Sequence, residues 1–510
     1  MHYIQGSNRI QVVLFPQCLE ELVDQDNEVR IIDLFVDSIN LDDFKFIAKL
    51  NKEGRPPYNP KDLLKLYIYG YLNSIRSSRV LEKECHRNIE VMWLLKELTP
   101  DHNTISNFRR DNEKAIRKVF QYTVKIAKMF DLIGGKLIAG DSTKLRAQNS
   151  KKNNYNPKKI ERHLAYIDSK LNDYNEALKS ADEDNKLIIE AQIEKHENRK
   201  EFYNHLTEQL EQSGEVQIST SDPESRQLIT RNNITEVGYN VQTTVDAKNC
   251  IPIDYKVTNE NDSKAMGGML RRAKVILRPS DLTALYDKGY HTGSEIKMAF
   301  TLGINPMVAI PGVASFAPNE NYNYDKFIYN ETADTFTCPQ GEFLNTNGNW
   351  YTRNTGRSTY QVKHYKTNKC QLCPVKNLCT KNEKGRLIER TEYAPFIENN
   401  KKNIETNPEL YKRRQAIVEH PYGIIKRQWG FYYIMTKRTI KRASADVGMM
   451  FTAFNLRRLI NIIGQNEFKK YLQGLVLSHF YGIDLYEAIS SKLRHPIFSK
   501  VCHLSKFKVA

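Results

Sequence analysis

The spacing of apolar residues changes along the chain, and this change restricts the fold more than any other feature of the sequence. Between residues 60 and 130, apolar residues recur every three to four positions, which predicts helices. Short apolar runs follow from residue 136, and helical spacing returns at 409–427 and 446–463. This order predicts an all-helical N-terminal domain at 1–130, followed by an α/β domain at 131–465. A chain of 510 residues is long enough for such a division.

The helical segment has features of a DNA-reading domain. TPDHN at 99–103 predicts a turn with residues suited to N-capping, and TISNFRRDN follows at 104–112. Short helices joined by tight turns are typical of helix-turn-helix proteins, so 104–112 is a candidate recognition segment. A helical domain that only packs against its neighbours explains the same pattern.

Two apolar runs of the second domain end in an acid. KLIAGD at 136–141 and LTALYD at 282–287 predict strands with Asp141 and Asp287 at their carboxyl ends. Further strands are predicted at 239–246, 251–258 and 304–310, and Glu419 lies on a later predicted helix. Three carboxylates brought together in this way can hold two divalent cations about 3.5–4 Å apart. Each Asp alone is more often a turn or capping residue.

Two insertions interrupt the predicted α/β domain. At 157–212, apolar residues follow a heptad spacing up to SADEDN at 180–185 and then resume, which predicts an antiparallel helical hairpin. Its role is a structural arm, a dimerisation surface or a DNA contact.

The second insertion, at 312–400, contains a cluster of cysteines. They are Cys338, Cys370, Cys373 and Cys379. The C-x2-C pair with the two flanking cysteines suits a structural Zn²⁺ held by four thiolates. Free thiols and an iron-sulfur cluster are the alternatives.

The chain carries a formal charge of +16, which favours a polyanionic partner. Residues 401–460 hold 13 Lys and Arg against 4 Asp and Glu, so this stretch is the leading candidate for phosphate contacts. No run of eighteen apolar residues and no signal peptide are found in the sequence. We therefore expect no membrane partner and a cytoplasmic protein, associated with the nucleoid when bound to DNA.

Several sequence blocks resemble those of bacterial insertion-sequence DDE transposases, in the IS-four/IS-five superfamily. The blocks are AGDSTKLRAQNSKKNNYNP around Asp141, DPESR at 222–226, GYNVQTTVD, VTNENDS at 257–263, YDKGYHTGSEI around Asp287 and YKRRQAIVEHPYGIIKRQWG at 411–430. The likeness is closest to the IS-eleven-eighty-two group, whose members also carry a helical and a cysteine-bearing insertion. It covers residues 30–465.

The last block resembles the Y-R-E-K signature of that superfamily. The resemblance assigns its positions to Tyr411, Arg414, Glu419 and Lys426, although four residues separate Arg414 from Glu419 where the signature has three. Glu419 and Lys426 are seven residues apart, which predicts that they share a helix face.

The resemblance implies an RNase H-like core in which Asp141, Asp287 and Glu419 hold two Mg²⁺ or Mn²⁺ ions. Basic residues next to the two aspartates would steady the DNA backbone; they are Lys144, Arg146 and Lys288.

The implied activity is cleavage of double-stranded DNA at transposon ends and transfer of the 3′-hydroxyl to target DNA, by a homodimer. The alternatives are an inactive DNA-binding derivative and an RNase H-like nuclease without strand transfer. Residues 466–510 lie beyond the resemblance, and we expect them to form a helical tail.

Overall fold

A computed structural model describes residues 18–47, 56–229, 234–279, 281–312, 317–356 and 358–481. Its helices are α1 (Val29–Asp37), α2 (Leu41–Phe44), α3 (Pro60–Leu72), α4 (Ser78–Arg87), α5 (Ile89–Leu95), α6 (His102–Asp111), α7 (Glu113–Met129), α8 (Pro157–Ser180), α9 (Glu183–Ser213), α10 (Met266–Leu277), α11 (Gly293–Thr301), α12 (Lys376–Cys379), α13 (Ala394–Thr406), α14 (Pro408–Tyr422), α15 (Ile440–Ile463) and α16 (Gln465–Tyr481).

Its strands are β1 (Leu137–Arg146), β2 (Asn154–Tyr155), β3 (Ile218–Ser219), β4 (Arg226–Ile229), β5 (Thr235–Asp246), β6 (Ile251–Thr258), β7 (Leu282–Tyr286), β8 (Ile304–Val308), β9 (Ile328–Asn330), β10 (Thr335–Thr337), β11 (Phe343–Asn345), β12 (Trp350–Asn354), β13 (Thr359–Tyr365) and β14 (Ile388–Thr391). The chain is thus a mixed α/β protein with helices first, as predicted.

The largest sheet lies at the centre of the fold. Its order is β4-β5-β1-β7-β8, and β6 pairs with β5 beyond the end of β4. β1 pairs antiparallel with β5 and parallel with β7, and β7 pairs parallel with β8. The sheet therefore brings together strands that are far apart in sequence.

The N-terminal helices share one hydrophobic core with this sheet and with α15. Ile116 and Phe120 of α7 are buried in the same cluster as Tyr255 of β6 and Phe451 of α15. The rings of Phe120 and Tyr255 meet edge to face with centroids 5.1 Å apart. The boundary near residue 130 stays a prediction, but the helices on its two sides pack closely.

The helical hairpin is confirmed as α8 and α9. Ile160 and Ile167 of α8 pack with Tyr203, Leu206 and Leu210 of α9, and these side chains are buried. The ladder between β2 and β3 closes the base of the hairpin. These contacts account for the predicted heptad pattern, which stops where α8 ends and the connection to α9 begins.

The cysteine-bearing insertion forms two small antiparallel sheets, β11-β10-β9 and β12-β13-β14. Phe336, Leu344, Tyr365 and Ile388 make a separate small core between them.

After the insertion, α15 crosses the centre of the fold, and α16 packs against α1 and α15. This helix begins the predicted C-terminal tail, whose remainder from residue 482 lies outside the described residues. Within the described part of the chain, no helix is both long and apolar enough to cross a membrane.

Candidate active site

Asp141 lies in the middle of β1, so the prediction that it ends a strand was wrong. The pairing of β1 with β7 stops at Ala139, whereas the pairing with β5 continues through Arg146. Asp141 therefore lies two residues beyond the part of β1 that pairs with a strand on each side. β7 no longer pairs with β1 at this point, so one edge of β1 is open beside Asp141.

Asp287 follows β7 immediately, as predicted. Its Oδ1 accepts a hydrogen bond of 2.9 Å from the backbone N–H of Gly289, and this bond caps a short 3-10 turn at Lys288–Tyr290. Because β1 and β7 are parallel neighbours, the two aspartates come to the same end of the sheet.

Glu419 lies on α14, which packs across the sheet. Ile417 and Val418 are buried against Ala139 of β1 and Leu285 of β7. Glu419 itself is exposed and accepts a hydrogen bond of 3.0 Å from Gln415 Nε2.

The three acids line one cleft of about 1290 Å³. Five basic residues line it with them: Lys144, Arg146, Lys288, Lys426 and Arg427. Among the residues that the structure describes, no three His, Cys, Asp or Glu side chains are grouped closely enough to hold one metal ion. The sheet and α14 thus bring the acids to one cleft without assembling them around one point.

Like charges surround Asp141. Burial raises the pKa of its carboxyl, and the nearby Asp287 and Asp262 raise this pKa further. A hydrogen bond from the backbone N–H of Ser142 and the guanidinium of Arg414, whose Nη1 lies 3.3 Å from Asp141 Oδ2, act in the opposite direction. A site of this kind favours a bound cation, because added positive charge relieves the repulsion between the acids.

The residues assigned by the signature contact the same region. Arg414 reaches Asp141 despite the extra residue before Glu419, and Tyr411 donates a hydrogen bond of 3.0 Å to the carbonyl of Tyr286, next to Asp287. Lys426 Nζ donates to Thr143 Oγ1 at 3.0 Å.

Glu419 and Lys426 line the same cleft, as expected of residues on one helix face, but the α-helix does not continue from one to the other. α14 contains Pro421 and ends at Tyr422, and Gly423–Gln428 continue as a π-helix. A proline ring removes a backbone donor and disturbs the α-helical pattern, which accounts for the change. Both side chains line the cleft, but through a change of helix type.

The three other predicted DNA-binding residues, Lys144, Arg146 and Lys288, also line the cleft. The Arg146 side chain is 62% exposed and lies 3.5 Å from Glu236. Lys288 is exposed beside Asp287.

Among the cleft residues that the sequence did not single out, Asp262 and Tyr422 contact the predicted site residues. Asp262 lies within the VTNENDS block, which was noted only for its likeness, and Tyr422 within HPYG. The Tyr422 hydroxyl donates to the carbonyl of Asp141 at 3.1 Å, and Asp262 accepts from Lys144 Nζ at 2.9 Å. A polar run directly after a strand was the available signal for Asp262.

The candidate recognition segment corresponds to α6, which Asp101 caps. Ser106 and Asn107 are exposed, but Ile105, Phe108 and Arg109 are buried. Arg109 pairs with Asp446 at 3.3 Å inside the protein. Arg109 of the candidate recognition segment is therefore a core residue, and the exposed side chains of the segment are the ones that could contact DNA.

The four clustered cysteines line one small cavity of about 30 Å³ in the second insertion. Burial raises the pKa of the Cys379 thiol. Gly385 has a φ of +96°, and a Cβ there would lie 2.4 Å from Cys370 Cβ, so this glycine allows the loop to close over the cluster.

Two family models match parts of the chain. A transposase domain matches residues 17–111, and a transposase DDE domain matches residues 337–460. The second range includes Glu419 and the four cysteines, whereas Asp141 and Asp287 lie outside both ranges.

Among solved structures, the cryo-EM structure of a piggyBac transposase synaptic complex with hairpin DNA is similar to this chain. The similarity covers 92% of this chain and 82% of that chain, with 7% sequence identity and a TM-score of 0.30. No curated protein matches the chain.

Proposed function

Because its two matched domains indicate an insertion-sequence DDE transposase, we propose that this chain cuts DNA at transposon ends and joins the freed 3′-hydroxyl to target DNA. The observation that carries the proposal is the single cleft in which Asp141, Asp287 and Glu419 lie among basic side chains. Acids hold cations and basic groups bind phosphates, and phosphoryl transfer to or from DNA requires both.

The order of the central sheet supports an RNase H-like core. Asp141 lies on β1, Asp287 follows the neighbouring β7, and Glu419 lies on the later α14. This is the arrangement that the resemblance implies for the three acids.

The donor set fits Mg²⁺ or Mn²⁺, since all three candidate ligands are carboxylates and hard cations prefer oxygen. Asp141, Asp287 and Glu419 would hold the ions. When bound, two such ions activate the attacking oxygen and stabilise the leaving oxygen of the phosphodiester. Arg414 balances part of the charge on Asp141 before any cation binds.

Exposed basic residues of the stretch 401–460 would bind the DNA backbone. Within the described part of residues 401–460 they are Lys401, Lys402, Lys412, Arg413, Arg427, Lys437, Arg438 and Lys441. Arg427, together with Lys144, Arg146, Lys288 and Lys426, lines the cleft itself. A homodimer that holds two DNA ends rests on the resemblance alone.

The test is a cleavage and strand-transfer assay on the flanking insertion-sequence ends with Mg²⁺. It compares the native protein with Asp287→Asn, which removes the charge but preserves the shape, and with Asp173→Asn on the exposed face of α8 as the matched control. We expect Asp287→Asn to bind ends without nicking or joining them and Asp173→Asn to retain full activity.

The other outcomes select the alternative functions. A native protein that binds ends but never cuts them is a DNA-binding derivative. One that cuts without joining is a nuclease. Equal cutting by Asp287→Asn would remove this acid from the site.

We also propose that the four cysteines hold a structural zinc ion. The support is their common cavity and the four-thiolate donor set, which suits Zn²⁺. Because no three of these thiols are grouped around one point among the described residues, the loops that carry them would close on the ion when it binds. Elemental analysis of the purified chain should give about one zinc per chain, and the combined Cys370→Ser and Cys373→Ser variant should give none. A metal-free native protein would favour packed thiols, and iron with sulfide would favour a cluster.

A further inference from the structure

Asp262 is an acid on the wall of a cleft that is otherwise suited to DNA. It begins the 3-10 turn Asp262–Lys264 that follows β6, and it lines the cleft together with Asp141 and Asp287. A Cβ placed on Gly289 would lie 3.1 Å from Asp287 Oδ1 and 3.8 Å from Asp262 Oδ2, so the two carboxylates face the same point. A carboxylate at this place repels phosphate unless another group of the protein neutralises it.

The register of two strands directs a set of polar side chains at Asp262. Lys144 of β1 lies opposite Asn240 of β5, and Ser142 lies opposite Gln242. Residues opposite each other in an antiparallel pair point to the same face of the sheet. The four side chains therefore project from one face.

Two buried amides fix one oxygen of Asp262. Asn240 Nδ2 and Gln242 Nε2 each donate to Asp262 Oδ1 at 2.7 Å, and both residues are at most 1% exposed. Gln242 is itself held, because its Oε1 accepts a hydrogen bond of 2.5 Å from the Tyr290 hydroxyl. The carboxylate is thus oriented from inside the protein.

The other oxygen of Asp262 holds Lys144. Lys144 Nζ lies 2.9 Å from Asp262 Oδ2 and 2.8 Å from Ser142 Oγ. The side chains of Lys144 and Asp262 are 26% and 21% exposed, so the pair is only partly in solvent. An ammonium has three donors, and with these two contacts it can also bind a phosphate oxygen.

The electrostatics favour the ionised form of Asp262. Burial alone would raise the pKa of Asp262, but the Lys144 ammonium and the Asn240 amide outweigh burial, and the pKa lies below its usual value.

We propose that Asp262 is a positioning residue, whose carboxylate fixes the Lys144 ammonium at the cleft wall so that it meets a DNA phosphate in one defined place. An unrestrained lysine would bind the same phosphate, but over many orientations and without setting the position of the strand. This inference rests on the proposed function.

The test combines Asp262→Asn, Lys144→Met and the double variant in single-turnover cleavage and in DNA binding. Asp262→Asn should slow cleavage by about tenfold or more, because small misplacements of the strand are costly. Its DNA affinity should stay equal or rise, because a negative charge leaves the cleft. Asp262→Glu, which keeps the charge, should recover part of the rate.

Lys144→Met should weaken binding and reduce the slope of log affinity against log salt by about 0.9, the value for one phosphate contact. Asp262→Asn should cause no further loss of rate in the Lys144→Met protein, because the residue it positions has gone. The idea is refuted if Asp262→Asn cleaves at the native rate, if its effect is equally large without Lys144, or if affinity and thermal midpoint fall together with the rate.

A second measurement does not depend on catalysis. Amine labelling of the free protein, read by mass spectrometry, should modify Lys144 several times faster in Asp262→Asn than in the native chain, with the exposed Lys441 as internal control. Unchanged labelling overturns the proposed positioning of Lys144 by Asp262 even if Asp262→Asn slows cleavage. A native chain that neither binds nor cuts DNA refutes the proposed function, whereas increased labelling would still establish that Asp262 restrains Lys144.

Discussion

Asp446 is fully buried, and its removal should be among the most damaging single changes to the stability of this protein. The carboxylate accepts hydrogen bonds from the Tyr71 hydroxyl, from Arg109 Nη1 at 3.3 Å and from the backbone N–H of Met435 at 2.7 Å. Arg76 Nη1 lies 3.6 Å away, and both arginine side chains are at most 5% exposed. Asp446 therefore joins α3, α6, α15 and the segment before α15.

Asp446→Ala leaves two buried guanidinium groups without their carboxylate. Loss of one partner of a buried ion pair costs about 3–5 kcal/mol, and the unsatisfied backbone N–H adds to that loss. In urea denaturation followed by tryptophan fluorescence, the midpoint should fall by up to about 1 M, because the m value rises with chain size and exceeds about 3 kcal/mol/M for a chain this long.

Two further variants test whether the loss of stability comes from the uncompensated buried charge or from a general defect in folding. Glu467→Ala removes the exposed pair with Lys470 and should change the free energy of unfolding by less than about 1 kcal/mol. Arg109→Met combined with Asp446→Ala should lose less than the sum of the two single losses, because one uncompensated charge has been removed. A loss below about 1 kcal/mol in Asp446→Ala would refute the reasoning.

Two other changes test the neighbourhood of the site and the insertion. A Cβ on Gly140 would lie 2.1 Å from the buried Tyr286 ring, so Gly140→Ala should lower the free energy of unfolding by about 1–3 kcal/mol and reduce cleavage. As a control, Gly268→Ala should not destabilise the chain, because a Cβ there meets nothing within 4 Å. Equal urea midpoints of the two variants would contradict this prediction. Hydrogen bonds from the Tyr365 hydroxyl, and then from Lys363, lower the pKa of Asp334 to about 2. Its stabilisation of the insertion is complete above the unfolded pKa near 4 and is lost as the pH falls through about 2, so Asp334→Asn should remove this acid dependence in hydrogen exchange of residues 328–365; an unchanged acid profile would contradict the assignment.

Local pattern was sufficient to predict the elements that carry the site. The strands at 251–258 and 282–286 and the hairpin helices follow apolar runs with clear breaks, and the structure has them within a few residues. The end of the strand before Asp287 could be predicted, because turn residues follow Asp287 in the sequence.

Long-range pairing explains what the sequence did not predict. The strand containing Asp141 continues to Arg146 because β5, about a hundred residues later, pairs with all of it. Arg109 is buried because Asp446 lies beside it, and no pattern around residue 109 contains that information. Asp262 is recognisable only when the β1–β5 register places Lys144, Asn240 and Gln242 around it.

The shared core between the N-terminal helices, the sheet and α15 limits how such a protein can be divided or recombined. Residues of α7 fill the surface that β6 and α15 present, so a fragment without the first 130 residues would expose a broad apolar face and should aggregate. An exchange of the N-terminal helices between relatives would have to exchange the matching faces of β6 and α15 as well. The N-terminal helices and the sheet are therefore expected to change together in sequence, since side chains of both belong to one buried cluster.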